Sequence, residues 1–487
     1  MKVRILLCVV LMSLAACGGG GGGGETGANN NDGTGDNTGG DGSGNGGDDT
    51  GGDDTGDDTG DDNTGEGTGG DDTDQSKVVM LPAVDGYPIV SDIQSLKLND
   101  DALPDLILMR TAEDPFYTGL FIQALINNGD RTFTDATSTY FPGIDNTLHW
   151  IERAYLVDLN GDSRLDIVGH VDGGGDLLPP LLRQESGEFK ASDDPVLAAA
   201  TNPFVPLDTD GDGDVDLLTR GEDGGGNVEW TLLRNMLVEN GTMTYQNDGA
   251  VTSGMPLASE SAAFVYAPAI TRIDDDDLPD LVYGGAKYDG GFVDEPAPLV
   301  VLLNDGDNTF TESASHVFGG AVPEYVHLRE MVVADFDGNG TEDIAVANHG
   351  YDAEPFSGES NSAIFNSGTG SLTVHTGDAE TFDYMGYTHS ADAGDIDADG
   401  DIDIVFNDFL GEAVTSDDDK LRILMNDGDG TFTRQPFTMP AEISGGAWTA
   451  TLLADLDDDG YPEMILGGID SGTESVVLWN DGAGKLD

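Results

Sequence analysis

A nine-residue acidic loop recurs along the chain and constrains the fold more than any other feature. Its clearest copy is Asp208-Thr-Asp-Gly-Asp-Gly-Asp-Val-Asp216, with acidic side chains at positions 1, 3, 5 and 9. Five complete copies and two degenerate ones occur at intervals of 50 to 64 residues, beginning at Lys97, Asp158, Asp208, Arg272, Asp335, Asp395 and Asp455. Such regular recurrence predicts one small structural unit repeated seven times, with neighbouring units stacked to share a core.

Each unit carries the signals of four short β-strands. Apolar stretches enter and leave the acidic loop, as in Met331–Ala334 and Asp343–Ala347. A third stretch ends in a turn such as Asn304-Asp-Gly306, and Phe310 follows where a fourth strand would begin. Asn-Gly and Asp-Gly turns between apolar runs indicate hairpins. We therefore predict an all-β fold, a seven-bladed β-propeller with four-stranded blades over residues 77–487. A string of independent modules would need linkers between the units, and none is visible.

The acidic loops are predicted to bind calcium. Four carboxylates within nine residues repel one another unless a cation lies between them, and Ca²⁺ takes six to eight oxygen ligands in flexible loops. Glycine at position 6, as in Gly213, permits the turn. An EF-hand is excluded because position 12, for example Thr219, carries no acid. Solvated, metal-free acidic turns are the alternative.

About five Ca²⁺ sites are expected, and the degenerate loops are expected to be empty because the Lys97 and Arg272 side chains would replace the ion. The predicted ligands are Asp158, Asn160, Asp162, Asp166, Asp208, Asp210, Asp212, Asp216, Asp335, Asp337, Asn339, Asp343, Asp395, Asp397, Asp399, Asp403, Asp455, Asp457, Asp459 and Glu463.

These loops resemble the FG-GAP or VCBS-type repeats of the integrin α-subunit propeller and of many bacterial surface proteins. The acidic loop carries the resemblance. The Phe-Gly and Gly-Ala-Pro sequences that give the family its name are present only in part, as Phe318-Gly319 and Gly284-Gly285-Ala286. The resemblance covers all seven units. It implies a seven-bladed propeller with Ca²⁺ in the hairpin between the first and second strands of several blades. Members resemble adhesion modules, lectins and, more rarely, polysaccharide lyases.

The N-terminus resembles a lipoprotein signal. Residues 1–16 combine Lys2 and Arg4 with an apolar run too short to span a bilayer, and small residues precede Cys17. By this resemblance Cys17 would carry the lipid, and we expect an exported outer-membrane lipoprotein that faces either the cell exterior or the periplasm. A plain cleavage site beside an incidental Cys is the alternative. Residues 17–76, rich in Gly, Asp and Thr, are predicted to form a disordered tether.

The net charge of −74 restricts the partners. Phosphate backbones and anionic lipid headgroups would be repelled, so nucleic acid is excluded and membrane contact is expected only through the lipid. A partner should be neutral or cationic.

The ligand is expected on the face opposite the acidic loops, where aromatic side chains and histidines accumulate in the variable loops. Aromatic rings beside polar groups favour recognition of a sugar or a peptide. The alternative is that these side chains fill gaps between blades. The candidates are Tyr117, His149, Trp150, Tyr288, His327, Tyr351, Tyr387, His389 and Trp448.

We therefore predict a calcium-binding surface module for a neutral glycan or a protein partner. No nucleophile motif or phosphate loop is evident, so the chain is predicted not to be an enzyme. A polysaccharide lyase on the same scaffold is the main alternative. A docking ring within a larger surface assembly is a third.

Overall fold

The computed structural model describes residues 77–486 except for short gaps. The gaps are residues 145–149, 171–177, 201–203, 223–227, 252–263, 266–267, 290–291, 307, 352–355, 412–413 and 483. The predicted signal, tether and lipid-bearing Cys17 lie outside the described residues.

Within the described residues, seven four-stranded antiparallel sheets follow one another along the chain. Blade 1 contains β2 (Ile89–Leu96), β3 (Asp105–Glu113), β4 (Phe116–Asn127) and β5 (Phe133–Asp135). Blade 2 contains β6 (Arg153–Val157), β7 (Asp166–His170), β8 (Leu181–Arg183) and β9 (Phe189–Ala191). Blade 3 contains β10 (Phe204–Leu207), β11 (Asp216–Glu222), β12 (Val228–Asn235) and β13 (Tyr245–Ala250).

The remaining blades repeat this order. Blade 4 contains β15 (Ala269–Thr271), β16 (Asp280–Tyr283), β20 (Val300–Asn304) and β21 (Phe310–Glu312). Blade 5 contains β23 (Leu328–Ala334), β24 (Asp343–Asn348), β25 (Ser362–Asn366) and β26 (Leu372–His375). Blade 6 contains β27 (Gly386–Gly394), β28 (Asp403–Gly411), β29 (Leu421–Asn426) and β30 (Phe432–Gln435). Blade 7 contains β31 (Trp448–Ala454), β32 (Glu463–Gly468), β33 (Val476–Leu478) and β1 (Val78–Met80). The predicted seven-bladed β-propeller is confirmed.

The ring closes through the first strand of the described chain. Strand β1 pairs antiparallel with β33, with Val78 opposite Leu478 and Met80 opposite Val476. The fourth strand of the last blade therefore comes from the start of the propeller, so the two ends of the domain are held in one sheet.

The described residues also form small elements outside the seven four-stranded sheets. Strands β14 (Phe264–Val265), β17 (Gly285–Asp289) and β18 (Phe292–Glu295) form one extra sheet, and β19 (Ala297–Pro298) pairs with β22 (Glu324–Tyr325). Three single-turn helices are described, α1 (Thr137–Tyr140), α2 (Leu237–Asn240) and α3 (Ala314–Val317), with 3₁₀ turns at Leu197–Ala199 and Asp417–Asp419. No described helix is long and apolar enough to cross a bilayer.

The core lies between blades. All six residues of β24 are buried, as are all six of β32, because both faces of a blade are covered by its neighbours. Leu106 of blade 1, for example, belongs to the same apolar cluster as Ile465 and Val477 of blade 7. A single blade could not bury both of its faces, and this explains why the repeats must form a ring.

The acidic loops and the turns between third and fourth strands lie on one face, as the alternation of strand direction requires. Gly484, in the turn that follows the third strand of blade 7, is so close to the acidic loop of blade 6 that an added Cβ would lie 2.3 Å from the Asp397 Cβ. Gly430 of blade 6 similarly faces Asp337 of blade 5. Each acidic loop is therefore covered by the next blade.

Candidate functional site

In each complete acidic loop, the carboxylate at position 1 accepts hydrogen bonds from the backbone of the same loop. Asp208 Oδ1 accepts the backbone N–H of Gly211 at 2.8 Å, and Oδ2 accepts that of Gly213 at 3.0 Å. The bond to position 6 recurs in the other four complete loops, at Asp158, Asp335, Asp395 and Asp455. Gly213 has φ +96°, a left-handed conformation that favours glycine. The backbone is thereby wrapped closely around one carboxylate.

Position 9 has a different role, which is to fasten strands inside the blade. Asp403 is buried, its Oδ2 accepts the N–H of Ile396 at 2.9 Å, and its Oδ1 accepts the N–H of Asn426 at 2.8 Å. Both bonds recur in six of the seven blades, at Asp105, Asp166, Asp216, Asp280, Asp343 and Asp403. Asp105 and Asp280 keep them although their loops lack the first acid. The carboxylate at position 9 is thus a structural clamp as well as a potential ligand.

Four of the five complete loops bring three carboxylates within ion-binding range. In each group one oxygen per residue lies within 4.8 Å of the others. In blades 3 and 5 the third member of the group is the acid at position 9, and in blades 6 and 7 it is the acid at position 5. The groups in blades 3 and 5 are Asp208, Asp210 and Asp216, and Asp335, Asp337 and Asp343. The groups in blades 6 and 7 are Asp395, Asp397 and Asp399, and Asp455, Asp457 and Asp459. Metal binding is thus supported at the level of acidic clusters that could hold a cation.

Orphaned oxygens in blades 6 and 7 fit a bound cation. Asp397 Oδ1, Asp457 Oδ1 and Glu463 Oε1 are buried and meet no hydrogen-bond donor in the described part of the chain. A buried carboxylate oxygen without a donor is costly, and a hard cation would satisfy it. These residues therefore fit the ion that the sequence predicts.

Burial and crowding oppose the ionised form of the carboxyl groups at position 9. Burial, together with the neighbouring loop carboxylates, raises the pKa of Asp216 to about 7 and that of Glu463 to about 8. The same causes raise the pKa of Asp403 to about 7. A cation in the loop would reverse this effect by stabilising the charged form.

The loop of blade 2 is less suited to an ion than the other four. The Arg164 Nη2 atom lies 2.5 Å from Asp162 Oδ2, so a fixed cation already engages one predicted ligand. Ser163 at position 6 has φ +66°, a strained conformation for a residue with a Cβ. We expect the weakest of the five sites here.

The degenerate loops use their basic residues differently from the sequence interpretation. The Arg272 Nε donates to the backbone carbonyl of Asp277 at 3.1 Å, and Lys97 is exposed. The sequence predicted that the Arg272 side chain would take the place of the ion. In the structure this side chain instead fastens the turn of its own loop.

A ring of side chains at the ends of the third strands joins each blade to the acidic loop before it. In blade 6 the Asn426 amide donates to the carbonyl of Phe336 in the blade 5 loop at 2.8 Å and to Ile402 within its own blade at 3.1 Å. Arg183 takes this place in blade 2 and donates to Lys97 and Leu98 of blade 1. The ring, called the interblade latch below, comprises Asn127, Arg183, Asn235, Asn304, Asn366, Asn426 and Asn480. Sequence reasoning took these asparagines only as turn residues.

The axial channel is closed by paired charges that sequence reasoning also missed. Arg153 pairs with Glu330, and the Arg329 Nη1 lies 2.9 Å from Glu152 Oε1. Asp92 Oδ2 accepts the N–H of Ala154 in the next blade at 2.7 Å. The small cavity between these groups has a volume of about 30 Å³, enough for little more than water. Between these described side chains there is therefore no room for an organic ligand.

Most of the predicted ligand-face residues are interior. Tyr387 and Trp448 are fully buried, and His327 and His389 lie beside them in the protein interior. Tyr351 is exposed, and Tyr117 and Trp150 are half-buried, with their rings edge to face at 4.7 Å. His149 and the side chain of Tyr288 lie outside the described residues. Among the described candidates, Tyr117, Trp150 and Tyr351 are the ones that reach solvent.

The buried histidines form a cluster with one member that the sequence did not single out. His349 Nδ1 lies 3.2 Å from His327 Nδ1, and its ring centroid is 3.5 Å from that of Tyr387. Burial lowers the pKa of His327 to about 3 and lowers those of His349 and His389, so the rings are neutral at physiological pH. Among the described residues they join no group with metal-ligand spacing.

The sequence matches the model of the FG-GAP-like repeat over residues 97–169, 272–346 and 407–466. A search of curated proteins found no match. Solved structures are similar to this chain at low sequence identity. A glycosyl hydrolase from Bacteroides ovatus is 14% identical, covering 57% of this chain and 84% of that one, with a TM-score of 0.26. The Trypanosoma rangeli sialidase is 11% identical, covering 82% of this chain and 54% of that one, with a TM-score of 0.36. The GH93 α-L-arabinofuranosidase of Fusarium graminearum is 10% identical, covering 83% of this chain and 98% of that one, with a TM-score of 0.36.

These similarities correct the prediction that the chain is not an enzyme. The solved structures that match this chain include a glycosyl hydrolase, a sialidase and an α-L-arabinofuranosidase. At 10–14% identity their activities do not transfer to this chain, and its enzyme status is not established.

The three matched segments contain the degenerate loops at Lys97 and Arg272 and the complete loops at Asp158, Asp335 and Asp455. The same loop geometry recurs at Asp208 and Asp395, outside the matched segments. The chain is a seven-bladed β-propeller that contains FG-GAP-like repeats in three of its segments.

Proposed function

We propose that this chain is an exported lipoprotein whose calcium-stabilised propeller binds a neutral glycan or a protein partner. The FG-GAP propeller fold supports a binding module. The observation that carries the calcium proposal is the set of acidic loops with orphaned oxygens at Asp397, Asp457 and Glu463.

Calcium suits these loops by ligand type and by position. Positions 1, 3 and 5 would supply carboxylate or amide oxygens, and position 9 would add an oxygen where it lies in range. Each loop is covered by the hairpin of the next blade and bonded to its latch residue. An ion in one loop would therefore stabilise the seam between two blades as well as the loop.

The partner is proposed to bind on the face opposite the loops. The loop face carries dense negative charge and regular short hairpins. Among the described residues, the opposite face carries the half-buried pair Tyr117 and Trp150 and the exposed Tyr351. Aromatic rings that reach solvent are suitable platforms for a sugar ring or a peptide side chain.

Attachment to the outer membrane through Cys17 completes the proposal. It rests on the signal-like start and the small residues before that cysteine. Mass spectrometry of the N-terminal peptide tests it: a diacylglyceryl group on Cys17 is expected, and an unmodified or absent Cys17 in membrane-associated protein would refute it.

The binding function is tested with immobilised protein on glycan arrays and in pull-downs from surface extracts, in calcium and in chelator. We expect a neutral glycan or a protein to be retained in calcium, with weaker retention by a variant combining Tyr117→Ala and Trp150→Ala. Retention that is indifferent to these substitutions, or no ligand at all, would contradict the proposal. The retained glycans should also be checked for cleavage products, which would show that the site is catalytic.

A further inference from the structure

A second surface feature lies where the ring closes, between blades 7 and 1. It is a cavity of about 540 Å³ with three walls. These walls are the segment from Met80 to Pro88 that leads from β1 into β2, the hairpin at Glu113 and Asp114, and the loop from Asp470 to Ser475. We call it the seam cavity. Its volume falls in the range of pockets that hold ligands.

The walls of the seam cavity are held together by hydrogen bonds across the closure. The N–H of Leu81 donates to the carbonyl of Ser475 at 2.8 Å. The N–H of Ser471 donates to Glu113 Oε2 at 3.1 Å, which ties the blade 7 loop to the blade 1 hairpin. The cavity is therefore a built part of the closed ring, present only when both ends of the propeller are joined.

The lining is strongly acidic. Five carboxyl side chains surround the cavity, namely Asp85, Glu113, Asp114, Asp470 and Glu474. The one basic residue in the lining, Arg110, is buried and already donates to Gln123 and to the carbonyls of Pro82, Tyr87 and Pro88. An incoming group consequently meets an excess of negative charge.

The lining also offers apolar surface. Met80 is 39% exposed at the end of β1, and Leu81, Val84 and Pro88 continue the apolar wall. Negative charge beside an apolar wall suits a side chain that has both a methylene stem and a cationic head, because the stem packs while the head stays among the carboxylates.

We propose that the seam cavity receives a lysine or arginine side chain from an extended segment of a protein partner. This inference rests on the proposed binding function and names the partner class as a cationic protein. The chain's own acidic N-terminal segment is an unsuitable occupant, because residues 17–76 contain no Lys or Arg. Anionic polymers would be repelled by the same carboxylates.

The test uses a fluorescent peptide of alternating lysine and leucine, followed by anisotropy with the full propeller at physiological salt. The seam variant combines Asp85→Asn, Asp114→Asn and Glu474→Gln. The control variant combines Glu185→Gln, Asp193→Asn and Asp275→Asn, which removes the same charge from exposed sites on other blades. We expect the seam variant to bind about tenfold more weakly and the control to stay within about twofold of the wild type.

Three outcomes would overturn the inference: no binding of the peptide, equal weakening by the two variants, or equal binding of a peptide whose lysines are acetylated. Displacement of the peptide by spermidine at equal concentration would overturn the assignment to a protein segment. Calcium binding, measured on the same three proteins, separates the two proposals. If the loops bind calcium but the propeller does not bind the peptide, only the inference about the seam cavity is refuted. If the propeller binds the peptide but not calcium, the inference about the seam cavity is supported and calcium stabilisation is refuted.

Discussion

At the residue scale, acidic side chains of one loop have two separable functions. Positions 1 and 9 accept backbone N–H groups that fix the loop and the strands, whereas position 3 in blades 6 and 7 keeps an oxygen without a described donor. Asp397 Oδ1 meets no described donor, whereas both oxygens of Asp403 accept backbone N–H groups. The spacing of the acids predicts that they converge, but it does not reveal which of them are already satisfied by the backbone.

This difference predicts opposite effects for two substitutions in the blade 6 loop. Asp397→Asn should weaken calcium binding at that loop and leave the ion-free protein about as stable as the wild type. Asp403→Asn should lower the free energy of unfolding by about 2–3 kcal/mol even without calcium, because an amide N–H₂ would face a backbone N–H donor. Urea unfolding in chelator, paired with calcium titration, measures both. Equal loss of ion-free stability in the two variants would contradict the assignment.

Asp92, beside the axial channel, provides a pH-dependent prediction. Burial, partly offset by Arg153 and by the bonds from Ala154 and Gln94, raises the pKa of Asp92 to about 6. The folded state therefore holds this proton more tightly than the unfolded chain does. The resulting stability is complete below pH 4 and is lost as the pH rises through about 6.

Asp92→Asn should remove this dependence, because its amide oxygen can accept the same two hydrogen bonds as Asp92 Oδ2. Relative to the wild type, the variant should gain about 1 kcal/mol in the free energy of unfolding between pH 5 and pH 8. Urea unfolding in chelator measures the difference without a contribution from calcium. A difference between the two proteins that is the same at both pH values would refute the prediction.

At the element scale, the end of each third strand determines how blades adhere. The asparagine there begins a hairpin turn, and its side chain reaches the acidic loop of the preceding blade. The sequence predicted the turn because Asn-Gly and Asp-Gly signals are local. The latch could not be predicted in the same way, since the partner of Asn426 is Phe336, 90 positions away. The recurrence of asparagine at six of seven strand ends was the signal available.

Asn426→Ala should therefore cost more than an ordinary polar truncation. The change leaves the carbonyl of Phe336 without its donor at a buried seam, and we expect a loss of about 2 kcal/mol in the free energy of unfolding. Asn128→Ala is the matched control, because its amide bonds only to nearby exposed threonines. Urea unfolding compares the two. A loss no larger than that of the control would show that the latch contributes nothing.

The burial of the candidate aromatic residues has the same origin at this scale. Tyr387 and Trp448 lie in the first strands of their blades, where the ring packs them against neighbouring blades. A sequence places such residues near a face, but only the packed ring determines whether they point out of it.

At the scale of the whole molecule, the repeat count predicted the number of blades and the loop face. It did not predict the closure, because β1 has three residues and carries no copy of the acidic loop. Closure determines both the stability of the ring and the existence of the seam cavity. Neither follows from the repeats taken singly.

Net charge is also a property of the whole molecule, and residues 77–487 carry −60 of the chain's −74. Self-repulsion of this size opposes a compact ring, and cations held in the loops would offset part of it. Calcium is thus expected to stabilise the propeller both locally, at each complete loop and the latch residue bonded to it, and globally, through the total charge.

We propose above all that calcium occupies the complete acidic loops and stabilises the folded ring. Equilibrium dialysis of decalcified propeller against calcium, with thermal melts of the same samples, tests it most directly. We predict about five ions per chain, four bound tightly and the blade 2 site weakly, with a rise in melting temperature of at least about 5 °C that chelator reverses. A protein that binds no calcium, or whose melting temperature is the same in calcium and in chelator, would contradict the claim.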